Sequence, residues 1–262
     1  MNIIAIDIGN TNIAVGLFIN DEEQFINSID GNNLPELTQC LKSAWEKIPV
    51  AEASREKKRN GIIVASSVKP AWTKQIEKIL AESLDEKLLL IGKDIPLPMT
   101  LDMDEPDKVG TDRVLCASAA YDVVEDAVVV ADFGTAVTID LVDEDGSFIG
   151  GVILPGFDIS AAALNQHTAL LPKVKVKKPK KPFGKNTVDA INSGLYYSAV
   201  GTLEEILRRY SEVLGKWPHS IITGSAAKII FEDCNFIDSY VPNLVIKGIV
   251  LAYKKFIDQI TP

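Results

Sequence analysis

The sequence predicts an α/β protein made of two similar domains facing each other across a ligand-binding cleft. Three observations carry this prediction. The stretch AIDIGNTNIAVGLF at 5–18 has a counterpart in VADFGTAVTIDLVDEDG at 130–146. Each runs from an apolar strand through Asp-apolar-Gly into a hydroxyl-containing turn, then out along an alternating apolar strand. A second pair, GIIVASSVKPAWTKQIEKIL at 61–80 and SIITGSAAKII at 220–230, passes from a short apolar strand through small residues into a helical pattern. The aspartates of the first pair, Asp7 and Asp132, stand about half a chain length apart, so each half opens on its own hairpin. Two such halves bury their sheets under helices and leave a crevice for ligands.

In chain order, the first hairpin is followed by a helical pattern at 34–48, the strand of the second repeat, a helix at 71–84 and another from Arg113 to Tyr121. Apolar residues recur there at helical spacing. A boundary near 123–126 then divides the chain into an N-terminal lobe, 1–122, and a C-terminal lobe, 123–262. The second hairpin opens the latter, and a long helical pattern fills 187–215.

Composition fits a folded, water-soluble chain: 262 residues, 47% apolar and 24% charged. The net charge of −9 argues against nucleic acid as a partner, because phosphate backbones attract positive surfaces. Three cysteines without a C-x-x-C pair suggest neither a disulfide framework nor a zinc knuckle. No run approaches the roughly 18 apolar residues of a membrane span, and no basic leader precedes Asp7. These signals point to the cytoplasm.

The first turn is longer than a hairpin requires. A minimal connection needs only something like Asn-Gly, yet Asp7, Ile8, Gly9, Asn10, Thr11 and Asn12 intervene here. Glycine permits positive φ and close approach of a ligand to the backbone, and successive amides and hydroxyls can converge on phosphate oxygens. Asp7 would repel phosphate unless a cation lay between them, which argues for a nucleotide bound with Mg²⁺. The ordinary alternative is a plain hairpin in which Asp, Gly and Asn only make the bend. Repetition of the pattern in both halves tells against it.

DIGNTN, VGTDR, DFGTAVTID, GGVILPG, FGKNT and PNLVIKGI occur in this order over nearly the whole chain. In this the sequence resembles the type III pantothenate kinases, of the actin, sugar-kinase and heat-shock ATPase superfamily. The resemblance implies two duplicated ribonuclease-H-like (actin-like ATPase) domains with ATP bound between them. It further implies that the turn from Asp7 to Ala14, including Ile13, cradles ATP phosphates, with Asp7 holding hydrated Mg²⁺ and Thr135 of the second turn joining them. Asp132 is similar to the family's ligand for a monovalent cation, K⁺ or NH₄⁺. Gly110, Thr111, Asp112 and Arg113 match the G-x-D-R signature that contacts pantothenate and supplies the base, and Thr187 matches another substrate contact. A homodimer with the acceptor site near the subunit contact is also implied.

The role of Asp112 makes chemical sense apart from the resemblance. Phosphoryl transfer to an alcohol depends on positioning and charge neutralisation, with a carboxylate accepting the hydroxyl proton. Arg113 would grip a substrate carboxylate or offset phosphate charge. The alternative for this pair, on spacing alone, is a surface ion pair at a helix start.

Departures from the family pattern are Met103, where a tyrosine is usual, Val137, where a hydroxylated residue is usual, and Ser225, in a turn that commonly carries two glycines. FGKNT is no Walker A loop, because Pro179 occupies the place of the required first glycine. The segment KVKVKKPKKPFGK at 173–185 carries seven lysines and reads as a solvated loop or protected edge strand. The acidic run 101–107 reads as a solvated loop, and Trp45, Trp72, Trp217, Tyr196 and Tyr197 as core or subunit-contact residues. The two histidines, His167 and His219, belong to no zinc motif.

The expected function is therefore ATP-dependent phosphorylation of pantothenate, the first step toward coenzyme A. The departures keep two other readings open: a non-catalytic nucleotide-binding regulatory protein, and a kinase for another small hydroxylated acid.

Overall fold

The computed structural model describes residues 1–51 and 58–260. It contains two mixed five-stranded sheets. In the first, β3 (Glu22–Asp30), β2 (Asn12–Ile19), β1 (Ile3–Ile8), β4 (Ile62–Ser67) and β5 (Leu89–Leu90) lie side by side in that order. The first three form an antiparallel meander, while β4 and β5 continue parallel to β1. In the second sheet β8 (Phe148–Pro155), β7 (Ala136–Val142), β6 (Val128–Phe133), β9 (His219–Thr223) and β10 (Ser239–Tyr240) repeat this order and these directions. This repeated connectivity is the duplicated ribonuclease-H-like topology.

The helices are α1 (Leu34–Lys47), α2 (Pro70–Leu84), α3 (Thr111–Val124), α4 (Phe157–Gln166), α5 (Thr187–Leu214), α6 (Ala227–Ile230) and α7 (Leu244–Ile260). Local chemistry sets their ends. Asn33 caps α1 by accepting the Glu36 amide at 3.3 Å and donating to the Glu36 carboxylate at 2.6 Å. Asn186 caps α5 in the same way with Asp189. Helix α2 opens on Pro70 and closes on Asp85 in the left-handed conformation.

The chain divides into two compact units: Met1–Pro98 with Asp107–Ala119 and the chain from Val245, and Met99–Pro106 with Ala120–Leu244. This differs from a cut at 122/123, chiefly because α7 joins the first unit. The reason is apolar burial. In β1, Ile4, Ile6 and Ile8 pack with Leu37, Leu41 and Trp45 of α1 and Ile76 and Leu80 of α2. The alternate residues Ile3 and Ala5 pack with Leu115 of α3 and with Ile246, Ile249 and Ala252 of α7. A strand covered on both faces reads as a continuous apolar run, as IIAIDI does until Asp7. Helices α3 and α7 cross closely, since a side chain at Gly248 would lie 2.2 Å from the Leu115 carbonyl.

In the second unit, Val129, Ala131 and Phe133 of β6 and Ile139 of β7 pack with Tyr196, Leu203 and Leu207 of α5 and Ile230 of α6. The lysine-rich segment is neither a strand nor solvated throughout. Val174 and Val176 are buried, and the Asn192 side chain accepts the Lys177 amide at 2.9 Å and donates to its carbonyl at 3.0 Å. Trp45, Trp72 and Tyr196 are core residues, whereas Trp217 and Tyr197 are exposed. Among the described residues, no helix is long and apolar enough to cross a membrane.

Candidate active site

In the first unit, Asp7 closes β1 on the face that carries Ile3 and Ala5, the face covered by α3 and α7. Its register neighbours are Ala14 on β2 and Ser66 on β4. Ser66 is fully buried, and its hydroxyl lies 2.8 Å from that of Thr111, the first residue of α3. The structure thus links the strand beside Asp7 to the G-T-D-R segment through one hydroxyl pair. Ser66 is a site residue that the motif reading missed. Its signal was the small-residue end of the strand at 61–66 in the second repeat pair.

Asp112 follows in the first turn of α3. Its Oδ1 accepts the Arg113 amide at 2.9 Å, and a side chain at Gly110 would stand 2.6 Å from that oxygen. The carboxylate is half-buried. Loss of solvation raises its pKa above the ordinary 3.8, against the opposing hydrogen bond and charge of Arg113. A carboxylate held this way binds a proton more readily than an exposed one, which suits a general base.

Three contacts hold the first turn. The Gly9 amide donates to the Asn12 carbonyl at 3.1 Å, the Gly31 amide to the Thr11 carbonyl at 3.1 Å and the Lys69 ammonium to the Asn10 carbonyl at 3.0 Å. Asn10, Thr11 and Asn12 remain exposed at the tip. Neither Gly9 nor Gly134 of the second turn uses the positive φ that glycine permits; what remains is the small size that lets a ligand approach the backbone.

In the second unit, Asp132 on β6 has Thr138 and Thr223 as register neighbours. The arrangement repeats that of Asp7, with a hydroxylated residue on the parallel neighbour in each case. Gly224, at φ +97°, brings its backbone against this carboxylate; a Cβ there would lie 2.3 Å from the Asp132 Oδ1. Thr135 is exposed and its carbonyl accepts the Gly156 amide at 3.1 Å. Thr187 is exposed at the start of α5. The predicted residues are therefore grouped as Asp7 to Ala14 with Gly110 to Arg113 in one unit, and Asp132, Thr135 and Thr187 in the other.

Of the departures, Val137 is buried in the core and packs with Phe133 and Ile139 rather than lying at the turn surface. Met103 lies near Gly150, and Ser225 is exposed. An apolar cavity of about 160 Å³ opens between the second sheet and α4 and α5, lined by Val137, Leu154, Phe157, Leu195 and Thr202 among others. It includes none of the predicted catalytic or phosphate-binding residues. Among the described residues, no three His, Cys, Asp or Glu side chains gather to cage a metal ion.

The sequence model of the type III pantothenate kinase family matches residues 3–209. The type III pantothenate kinase of Brevibacillus brevis is 35% identical over 257 residues, covering 97% of this chain and 98% of that protein. That of Dehalococcoides mccartyi, strain 195, is 31% identical over 255 residues, covering 96% and 97%. Among solved structures, a conserved Baf family protein from Campylobacter jejuni, named as a candidate transcriptional activator, matches with a TM-score of 0.60 at 18% identity. It covers 97% of this chain and 99% of that one, and at this identity shows shared fold alone.

Proposed function

The chain belongs to the type III pantothenate kinase family, and on that premise we propose that Asp112 is the base that activates the pantothenate hydroxyl for attack on ATP. The protein is an enzyme of coenzyme A biosynthesis that phosphorylates pantothenate. The turn from Asp7 to Ala14, together with Thr135, holds the ATP phosphates. Gly110, Thr111, Arg113 and Thr187 hold the acceptor, Arg113 through the pantothenate carboxylate. The hydroxyl oxygen forms its bond to the terminal phosphorus as the bond to ADP breaks, and the hydroxyl proton passes to Asp112. The observation that carries this reading is the placement of the half-buried Asp112 carboxylate in the first turn of α3, its Oδ1 accepting the Arg113 amide at 2.9 Å and the preceding Thr111 tied to Ser66, the register neighbour of Asp7.

The Asp7 carboxylate, with the buried Ser66 as its register neighbour, fits a divalent ion held mainly by waters and substrate phosphates. Mg²⁺ bound there would neutralise charge on the triphosphate. Asp132, with the Gly224 backbone against it, is assigned to a monovalent cation, K⁺ or NH₄⁺, on the family resemblance. We place the enzyme in the cytoplasm with its substrates, where its three free cysteines stay reduced. We also assign it a homodimeric state. Ile153 on β8, Ile159 on α4 and Tyr197 on α5 are exposed large apolar residues, as an interface between copies requires.

The test is formation of phosphopantothenate from ATP and pantothenate with Mg²⁺ and K⁺, by the wild type and by Asp112→Asn. Product from the former and its near loss in the latter are expected. Nucleotide binding without product in the wild type would favour the regulatory reading. Turnover of another hydroxy acid in preference to pantothenate would favour a different acceptor, to which Met103 is the pointer.

A further inference from the structure

The ammonium of Lys69 sits 3.0 Å from the Asn10 carbonyl and 3.1 Å from the centre of the Trp72 ring. Neither partner carries a formal charge, so these contacts fix the position of the cation without neutralising it. The ring is itself fixed. Trp72 is buried, and a side chain at Gly31 would collide with it at 1.9 Å, while the Gly31 amide ties that segment to Thr11. The Lys69 backbone is held as well, its amide donating to the Ser67 hydroxyl at 3.1 Å, which in turn pairs with Thr73 at 2.6 Å. A lysine immediately before a helix opposes the positive end of that helix, an electrostatic penalty borne alongside its contacts with Asn10 and Trp72. What the geometry achieves is a preorganised positive charge at the exposed tip of the turn, in a chain of net charge −9.

We propose that Lys69 is a specificity residue for the phosphate chain of the nucleotide. This rests on the reading of the Asp7–Ala14 turn as the phosphate site. On binding, the ammonium stays over Trp72 and donates one of its hydrogens to a phosphate oxygen at the tip. A lysine has three such donors, and the Asn10 carbonyl uses one. Because the side chain is already ordered, little rotamer freedom is lost when that bond forms. A charge-assisted bond of this kind discriminates nucleotides by their phosphates and leaves recognition of the nucleoside to other groups.

Calorimetric titration of ATP, ADP and adenosine into the full-length wild type, Lys69→Met, Lys69→Arg and Thr11→Ala proteins tests this. Lys69→Met is expected to weaken ATP by about tenfold and to leave adenosine within about twofold. In turnover it raises the KM for ATP by a similar factor while kcat at saturating ATP changes less. Lys69→Arg restores most of the ATP affinity. Because loss of a brace alone would also weaken ATP and spare adenosine, the salt dependence of ATP affinity separates the two roles: if it is as steep in Lys69→Met as in the wild type, the lysine only braces the turn and the inference falls. So it does if Lys69→Met binds ATP like the wild type while Thr11→Ala binds it poorly, since the turn then holds phosphate without the lysine. If Thr11→Ala and Lys69→Met both match the wild type, the turn is not the phosphate site, and the functional reading falls with the inference.

Discussion

The hydroxyl groups of Ser66 and Thr111 lie 2.8 Å apart, and this contact joins the strand next to Asp7 to the helix that begins with Asp112. Thr111→Val removes one partner and leaves the fully buried Ser66 hydroxyl unpaired. An orphaned buried hydroxyl costs roughly 1–3 kcal/mol. Urea unfolding should show a loss of that size, and the Ser66→Ala, Thr111→Val double variant should recover most of it. Activity should not recover in the double variant, because the start of α3 is then no longer tied to the strand.

Asp112 sets a second expectation, in which activity and stability move in opposite directions. Burial raises its folded-state pKa above 3.8, so the folded protein binds a proton more tightly than the unfolded chain. Stability therefore falls as pH rises from the ordinary carboxylate range through the folded pKa, and the full penalty persists at neutral pH. Asp112→Asn removes the charge. At neutral pH the variant should melt no lower than the wild type, an advantage that disappears in acid below the unfolded pKa, while kcat falls about 10²–10⁴-fold. The acid limb of the wild-type pH profile of kcat/KM should lie above 3.8.

The duplicated fold was legible because both copies of the hairpin keep Asp-apolar-Gly at the end of a buried strand, a pattern whose period and polarity survive without any tertiary information. Asp112 was legible as the candidate base in G-T-D-R, but its burial was not. That burial is a property of the completed fold. Ser66 escaped notice because a single serine at a strand end is ordinary until β1 and β4 are paired in register. The grouping of α7 with the first unit was not legible, for a similar reason. Nothing in the order of residues says that α7 returns to cover Ile3 and Ala5, which only the burial of Ile246 and Ile249 reveals. The three-residue loop from Gly9 to Thr11 closes without the positive φ that glycine permits, a choice that only the paired strands reveal.

Gly224 gives a prediction for the second unit. At φ +97°, with a Cβ 2.3 Å from Asp132 and 2.6 Å from the Phe133 backbone, Gly224→Ala is strained both by conformation and by contact. Backbone strain alone is worth roughly 1–3 kcal/mol. The variant should lose at least that much stability. It should also displace the Asp132 carboxylate, so that dependence of turnover on the concentration of K⁺ or NH₄⁺ shifts to higher salt. A loss of stability with an unchanged cation dependence would remove Asp132 from the cation assignment.

The lysine-rich segment offers the last test, and it concerns order rather than charge. Seven lysines within 173–185 would make an unrestrained loop a preferred site for trypsin. Here the segment is held by Val174 and Val176 in the core, by Asn192 on both backbone groups of Lys177, and by Ser193 donating to the Lys181 carbonyl at 3.2 Å. Lys178 adds ion pairs to Asp233 at 2.7 Å and Glu232 at 3.2 Å, but these are exposed and contribute little. Asn192→Leu leaves the Lys177 amide and carbonyl without that side chain, at a cost of about 2 kcal/mol. Limited trypsin digestion should cut this variant within 173–181 several-fold faster than the wild type, while Lys178→Met should change the rate of cleavage after the other lysines little. Equal rates for Asn192→Leu and wild type would show that the buried valines alone hold the segment, and that the polar clamp is incidental.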